Sequence, residues 1–205
     1  MREVMEFRFA CKHFDTEKKI DVDVLHEILD LTRLSPSSYG VQPWKFIVVE
    51  TEDLKKALAP ACYNQPQITE ACCVVVMCAR TDLAGDNGAI HQHVLKSKED
   101  FGNSDEKSAA FENMISTSLL SRSSQEIKAW SQKQVYLAGM SLMIIAAEKG
   151  VDSCPMEGFE PAKVSEVLGL SEDLVPSLII PLGYRNMEQP KKTRREFADI
   201  IEERK

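Results

Sequence analysis

The chain lacks the short motifs that mark most enzymes. There is no G-x-S-x-G nucleophile turn, no phosphate-cradling P-loop and no G-x-G-x-x-G dinucleotide fingerprint. No nucleophile stands beside an obvious base. None of the six cysteines (11, 62, 72, 73, 78 and 154) forms a C-x-x-C pair. They read as buried thiols in a reducing compartment, not as a disulfide framework or a zinc site. Basic residues are in the minority, 25 against 32 acidic, for a net charge of −7. That balance argues against nucleic acid or an anionic membrane as a partner. No apolar run approaches the ~20 residues that span a bilayer. The stretch Met1 to Phe9 has no signal-peptide core, so a cytoplasmic location is the expectation. Internal repeats and low-complexity tracts are also missing. With so few chemical groups of its own in evidence, an enzyme of this sequence would leave the hard chemistry to a cofactor.

What remains is one expected domain, residues 1–205, large enough for a sizeable core. A short helix over residues 1–10 should end near Arg8-Phe9-Ala10-Cys11-Lys12. A second, capped by Asp21 or Asp23, should run to about Leu34, with Val24, Leu25, Ile28, Leu29 and Leu31 at helical spacing. Two prolines and three serines then fill a loop from Ser35 to Pro43, and Phe46 to Val49 reads as a buried strand. Polar loops at the ends of buried strands are where α/β proteins place ligands. Thr51 should cap a helix reaching Pro60. A turn over 62–67 leads to a second strand, about Cys73 to Ala79. A third strand centres on Leu178 to Ile180, where Pro176 and Pro181 should limit how much sits inside a sheet.

Residues 81–123 are polar and hard to read. Helical patches are expected near 87–98 and 107–120, His91-Gln92-His93 reads as solvated loop, and the segment is expected to be a mobile insertion or lid. Ser123-Ser124-Gln125-Glu126 is a capping box. The helix it opens should run to Lys149. From Val135 to Ala147 it is apolar nearly all round, as a helix buried on every side would be. A second subunit could supply part of that cover, giving a homodimer; an intra-chain central helix is the other reading. Pro161 should start a further helix that Gly169 ends. Residues 184–205 read as an arm that ends in a short amphipathic helix with Phe197, Ile200 and Ile201 on one side.

Basic residues gather at both ends of the chain: Arg8 with Lys12, and Lys191 and Lys192 with Arg194 and Arg195. They could converge on a phosphate. Spacing alone fits a solvated charge run better.

Five motifs, in order, change the weight of these residues. They are Arg8-x-x-x-Lys12-x-Phe14-Asp15, Ser35-Pro36-Ser37-Ser38-x-x-x-Gln42-Pro43-Trp44, Lys133-Gln134-Val135-Tyr136-Leu137, Pro155-Met156-Glu157-Gly158-Phe159 and Pro190-Lys191-Lys192-Thr193-Arg194. Together they resemble the nitroreductase family of flavoproteins, in particular the oxygen-insensitive NAD(P)H nitroreductases. The resemblance covers nearly the whole chain and is weakest over 81–123.

It implies an α+β fold with a central, mostly antiparallel sheet and a long buried helix, in a domain-swapped homodimer with FMN at the subunit interface. Arg8, with Phe9 and Ala10 close by, and Lys192 (or Lys191) with Arg194 would hold the flavin phosphate. Lys12 would lie near the N1–C2=O edge, where a cation favours the reduced flavin. Pro155, Met156, Glu157 and Gly158 would pass along the flavin face, with backbone N–H groups of Glu157 and Gly158 toward N5 and O4. Asn64 would bond the pyrimidine edge. Ser35, Pro36, Ser37, Ser38 and Gly40 would come from the partner subunit, and the C-terminal arm would wrap onto it.

The implied activity is ping-pong reduction by NAD(P)H of a small electron-poor aromatic acceptor, such as a nitroaromatic or a quinone. Dehalogenase, enone reductase or flavin reductase branches and a non-catalytic flavin carrier are the alternatives. The chain departs from the family pattern in three places. Phe9-Ala10 replace a common His-Ser, Gln67 replaces a lysine near the flavin, and Gly40, after Tyr39, replaces an asparagine.

Overall fold

In the computed structural model, which describes residues 1–205, eight α-helices surround a four-stranded sheet. The strands are β1 (Trp44–Val49), β2 (Cys73–Arg80), β3 (Asp152–Ser153) and β4 (Leu174–Gly183). Their spatial order is β1-β2-β4-β3 and every pairing is antiparallel. The expected α+β class with an antiparallel sheet is the one observed.

The sheet is covered on both faces, and β2 shows why. Its side chains alternate across the pleat. Val74, Val76 and Cys78 enter one core, with Phe9, Phe14, Ile68 and Val164. Cys73, Val75, Met77 and Ala79 enter the other, with Leu25, Ile28, Val135 and Leu142. Helix α2 (Val22–Thr32) closes the second core, and its N-terminus is capped by Asp21, whose carboxylate accepts from Asp23 N at 2.8 Å. Each fully buried aliphatic side chain here contributes ~1.5–3 kcal/mol. Five cysteines are in or against these cores, at most 1 % exposed; Cys72 is half-buried at the start of β2. Burial pushes the Cys73 and Cys78 thiols up to about 12.

Strand β4 is longer than expected and holds both prolines. Pro176 is accommodated where the β2–β4 register shifts, between Met77 and Cys78, so the ladder loses its regularity where proline cannot donate. Pro181 pairs with Val74 and its carbonyl accepts from Cys154 N at 3.2 Å.

Helix α7 (Ser124–Glu148) has the complete capping box at Ser123 and Glu126. It lies close on the sheet because Gly139 leaves room: a Cβ there would come within 2.5 Å of Leu178. The expectation of burial on every side is not met within one chain. Leu137 is 48 % exposed and Met140 37 %, one turn apart on a common face, with Tyr136 beside them.

The remaining helices are α1 (Arg2–Phe7), α3 (Glu52–Leu58), α4 (Pro66–Glu70), α5 (Ala89–Phe101), α6 (Asp105–Leu120) and α8 (Pro161–Leu168). Pro161 opens α8, and Gly169 ends it in the left-handed conformation. The segment read as hard-to-place insertion is therefore mostly helix. Helices α5 and α6 share a small core with Val41 and Leu83. His91 and His93 sit on α5, not in a solvated loop: His91 bonds Glu112 at 2.9 Å, and the His93 ring meets Phe111 edge-on. The tail forms only a 3₁₀ turn over Phe197–Asp199, and Phe197, Ile200 and Ile201 are exposed, so the expected amphipathic helix is absent. No helix is long and apolar enough to cross a membrane.

Candidate functional site

The two ends of the chain meet. Lys192 Nζ donates to the carbonyl of Arg8. The Lys192 ammonium is held below the ordinary lysine range, first by burial and then by the nearby charges of Arg8, Arg194 and Arg185. Four cations thus share one neighbourhood. The Arg8 Nε is buried with no hydrogen-bond partner. A buried guanidinium N–H without an acceptor is costly, and the residues around it are cations that repel it. The arrangement calls for an anion.

Arg185 is the member that sequence reasoning missed. It pairs with buried Asp152 at 2.6 Å, donates to the carbonyl of Phe7 at 3.3 Å, and stacks over the rings of Phe7 and Phe9 at 4.1 and 4.7 Å. It thereby fixes the segment that carries Arg8. Phe9 is buried in the core, so its side chain faces away from any polar ligand and only its backbone is available. Ala10 is exposed and bridges to Ser153 of β3.

Lys12 lies next to this cluster in sequence. Its Nζ is 3.4 Å from Cys154 Sγ, and Gln67 Nε2 approaches the same sulfur at 4.0 Å. Burial pushes the Cys154 thiol up, against the lowering effect of Lys12 and Gln67. Gln67 is itself buried.

The segment Pro155 to Gly158 follows directly and is clamped at three points. Met156 exchanges backbone hydrogen bonds with Ile179, at 2.8 and 3.1 Å. The Tyr136 hydroxyl donates to Glu157 Oε1 at 2.6 Å. Gln65 Nε2 donates to the carbonyl of Gly158 at 2.8 Å. The backbone N–H groups of Glu157 and Gly158 have no acceptor within the chain. Two adjacent free donors on a clamped backbone can receive a negative charge without reorganising. Asn64 is exposed on the neighbouring loop.

The loop Ser35 to Gln42 is the part that one chain does not bring to the cluster. Its bonds run elsewhere. Ser35 Oγ donates to Thr32 O at 2.6 Å, Ser38 N donates to Gln134 Oε1 at 2.9 Å, and the Tyr39 hydroxyl meets Ser118 Oγ at 2.8 Å. Pro36 is exposed and Ser37 Oγ accepts from Gln42 N. Gly40 has a φ of +73°, and a Cβ on it would lie 2.8 Å from the His93 ring, so the glycine is what lets α5 close on the loop. Four non-glycine residues have positive φ: Tyr39, Gln42, Tyr63 and Asn64. All four lie in this loop or the Asn64 loop. Strained backbone of that kind gathers at functional sites.

A nitroreductase family profile matches residues 5–184. The chain belongs to the nitroreductase family. A Staphylococcus haemolyticus relative, named among the NAD(P)H nitroreductases, is 37% identical over 204 residues, 96% of this chain and 93% of the relative. A nitroreductase from Exiguobacterium sibiricum, solved with FMN, superposes with a TM-score of 0.86 at 25% identity, covering 99% of this chain and 96% of that one. A Bacillus subtilis nitroreductase structure gives a TM-score of 0.89 at 20% identity, covering 98% and 97%, a likeness of fold alone. The family profile and the relatives together support a nitroreductase-like oxidoreductase.

Proposed function

We propose that this nitroreductase-family chain is an FMN-dependent NAD(P)H oxidoreductase that reduces small electron-poor aromatic acceptors, nitroaromatics or quinones, by two electrons in a ping-pong cycle. The observation that carries it is the partnerless Arg8 Nε among cations from both chain ends, Lys192 and Arg194 beside it, with Arg185 already paired to Asp152. A flavin phosphate fits that donor set by charge and by hydrogen bonding. The FMN bound by the Exiguobacterium sibiricum protein supports the choice of anion.

Arg8, Lys192 and Arg194 would hold the phosphate, and Lys12 would set a cation beside the ring system. The free N–H groups of Glu157 and Gly158 would receive charge as the ring is reduced. Asn64 and Gln67 would line the polar edge. FMN, when bound, supplies acceptance and delivery of hydride. The chain's residues would bind it and orient it, and the proton would come from solvent.

The exposed Leu137 and Met140 face supports a homodimer, because an apolar helix stripe of this kind is normally covered. A second copy would then bring Ser35, Pro36, Ser37, Ser38 and Gly40 to complete the site. Helices α5 and α6 would form its lid, and residues 184–205 would wrap the neighbour.

The test is direct. The purified protein should be yellow, or become so with FMN, and should oxidise NADH or NADPH when given menadione or a nitrofuran. A protein that cannot be loaded with FMN overturns the proposal. A yellow protein inert to both nucleotides makes it a flavin carrier instead.

A further inference from the structure

Tyr136 belongs to the third sequence motif and lies outside the cation cluster. It stands on the exposed face of α7, 40 % accessible, and its hydroxyl lies 2.6 Å from Glu157 Oε1 and 3.3 Å from the carbonyl of Ser177. The phenol has one hydrogen to give, and the shorter bond takes it. Burial, then the Glu157 carboxylate, pushes this phenol up to about 12, so the donor is present throughout the physiological range.

The acceptor is unusually placed. The carboxylate belongs to the residue whose own N–H, with that of Gly158, is a free donor. A carboxylate on a flexible side chain is a natural partner for a nearby backbone N–H, and such charge-assisted bonds are strong. Left unheld, Glu157 could fold back and occupy the donors beside it. It would also place a negative charge where an arriving negative charge must be accepted, and like charges at that range oppose each other.

We propose that Tyr136 is a positioning residue that holds the Glu157 carboxylate away from the Glu157 and Gly158 N–H groups and so keeps that pair open to the reduced cofactor. The consequence for the cofactor rests on the function proposed above; the hold on the carboxylate does not. Tyr136 acts on the ligand only through Glu157. Gln65 completes the arrangement from the other side by tying down the Gly158 carbonyl, which fixes the direction of the following peptide. The device is electrostatic: the phenol's one hydrogen decides which way a charge points.

Three variants test it: Tyr136→Phe, Glu157→Gln and the double variant. In the cofactor-free protein, amide hydrogen exchange at Glu157 and Gly158 is followed by NMR. In Tyr136→Phe the freed carboxylate should slow exchange at one or both amides by about tenfold, the size expected for a charge-assisted bond of ~1.5 kcal/mol. In the double variant exchange should return most of the way to the wild-type rate, because a neutral amide oxygen accepts far more weakly than a carboxylate. In protein loaded with FMN, Tyr136→Phe should lower the midpoint potential of the bound flavin, and the double variant should restore it. A purely structural role for Tyr136 would not be reversed by Glu157→Gln. Unchanged amide exchange in Tyr136→Phe, or slowing that survives undiminished in the double variant, overturns the proposal. Wild-type protein that takes up no FMN leaves the exchange result intact and overturns only the proposed function.

Discussion

Arg185 and Arg8 are neighbours treated in opposite ways. Arg185 has a buried carboxylate, two carbonyl or amide oxygens and two aromatic rings around its guanidinium. Arg8 has a buried Nε with nothing to bond and two further cations, Lys192 and Arg194, in its neighbourhood. A saturated cation holds the fold together. An unsaturated one, set among other cations, suits an anion from outside, the role proposed for Arg8. The contrast separates structural charge from binding charge without reference to any ligand.

The sharpest way to break the contrast is Asp152→Ala. It should cost ~3–5 kcal/mol of stability in urea titrations, the usual effect of stranding one partner of a buried pair. Asp152→Ala protein as stable as wild type would mean that Arg185 is not structural.

Arg8→Ala and Arg194→Ala should do the reverse. Each should weaken FMN binding by ~1.5–3 kcal/mol, the range for a lost charge-assisted bond. Thermal stability of the empty protein should hold steady or rise, since a repulsion is removed. Wild-type FMN affinity in both variants would move the phosphate site elsewhere.

Lys192 gives a smaller, pH-dependent effect. Its folded pKa lies below the unfolded one, for the reasons of burial and neighbouring cations given above. The protonated form therefore costs the empty fold stability at low pH, and the cost fades as pH rises through the lowered pKa. A phosphate bound as proposed would offset that cost. The rise in Tm on adding FMN should be greatest below the Lys192 pKa and shrink above it, and Lys192→Met should flatten the trend. The smallest effect concerns the saturated interior. At pH 8, native protein should titrate one thiol with Ellman's reagent, Cys72, while the other five react only on unfolding.

The elements on either side of this contrast were not equally legible. Strand β2, the Ser123 capping box and the Asp21 cap all announce themselves through local periodicity or spacing. Arg8, Lys12, Lys192 and Arg194 were legible as candidates only through motif order, because their spacing alone looks like solvated charge. Asp152 and Arg185 gave no signal. Their meaning comes from a pairing across the β3–β4 edge, and sequence patterns report the neighbours along a chain. Tyr136 was visible as part of a motif but silent about its task, which depends on Glu157 across a loop. The tail misled for a related reason: Phe197, Ile200 and Ile201 have helical spacing but nothing in their own chain to pack against.

The bond between Lys192 and the backbone at Arg8 also sets an order of events during synthesis. Every strand of the sheet has been synthesised before Lys192 is added. A chain terminated between Arg185 and Lys192 therefore carries every strand of the sheet and the Asp152–Arg185 pair, yet lacks two of the cations proposed to hold phosphate.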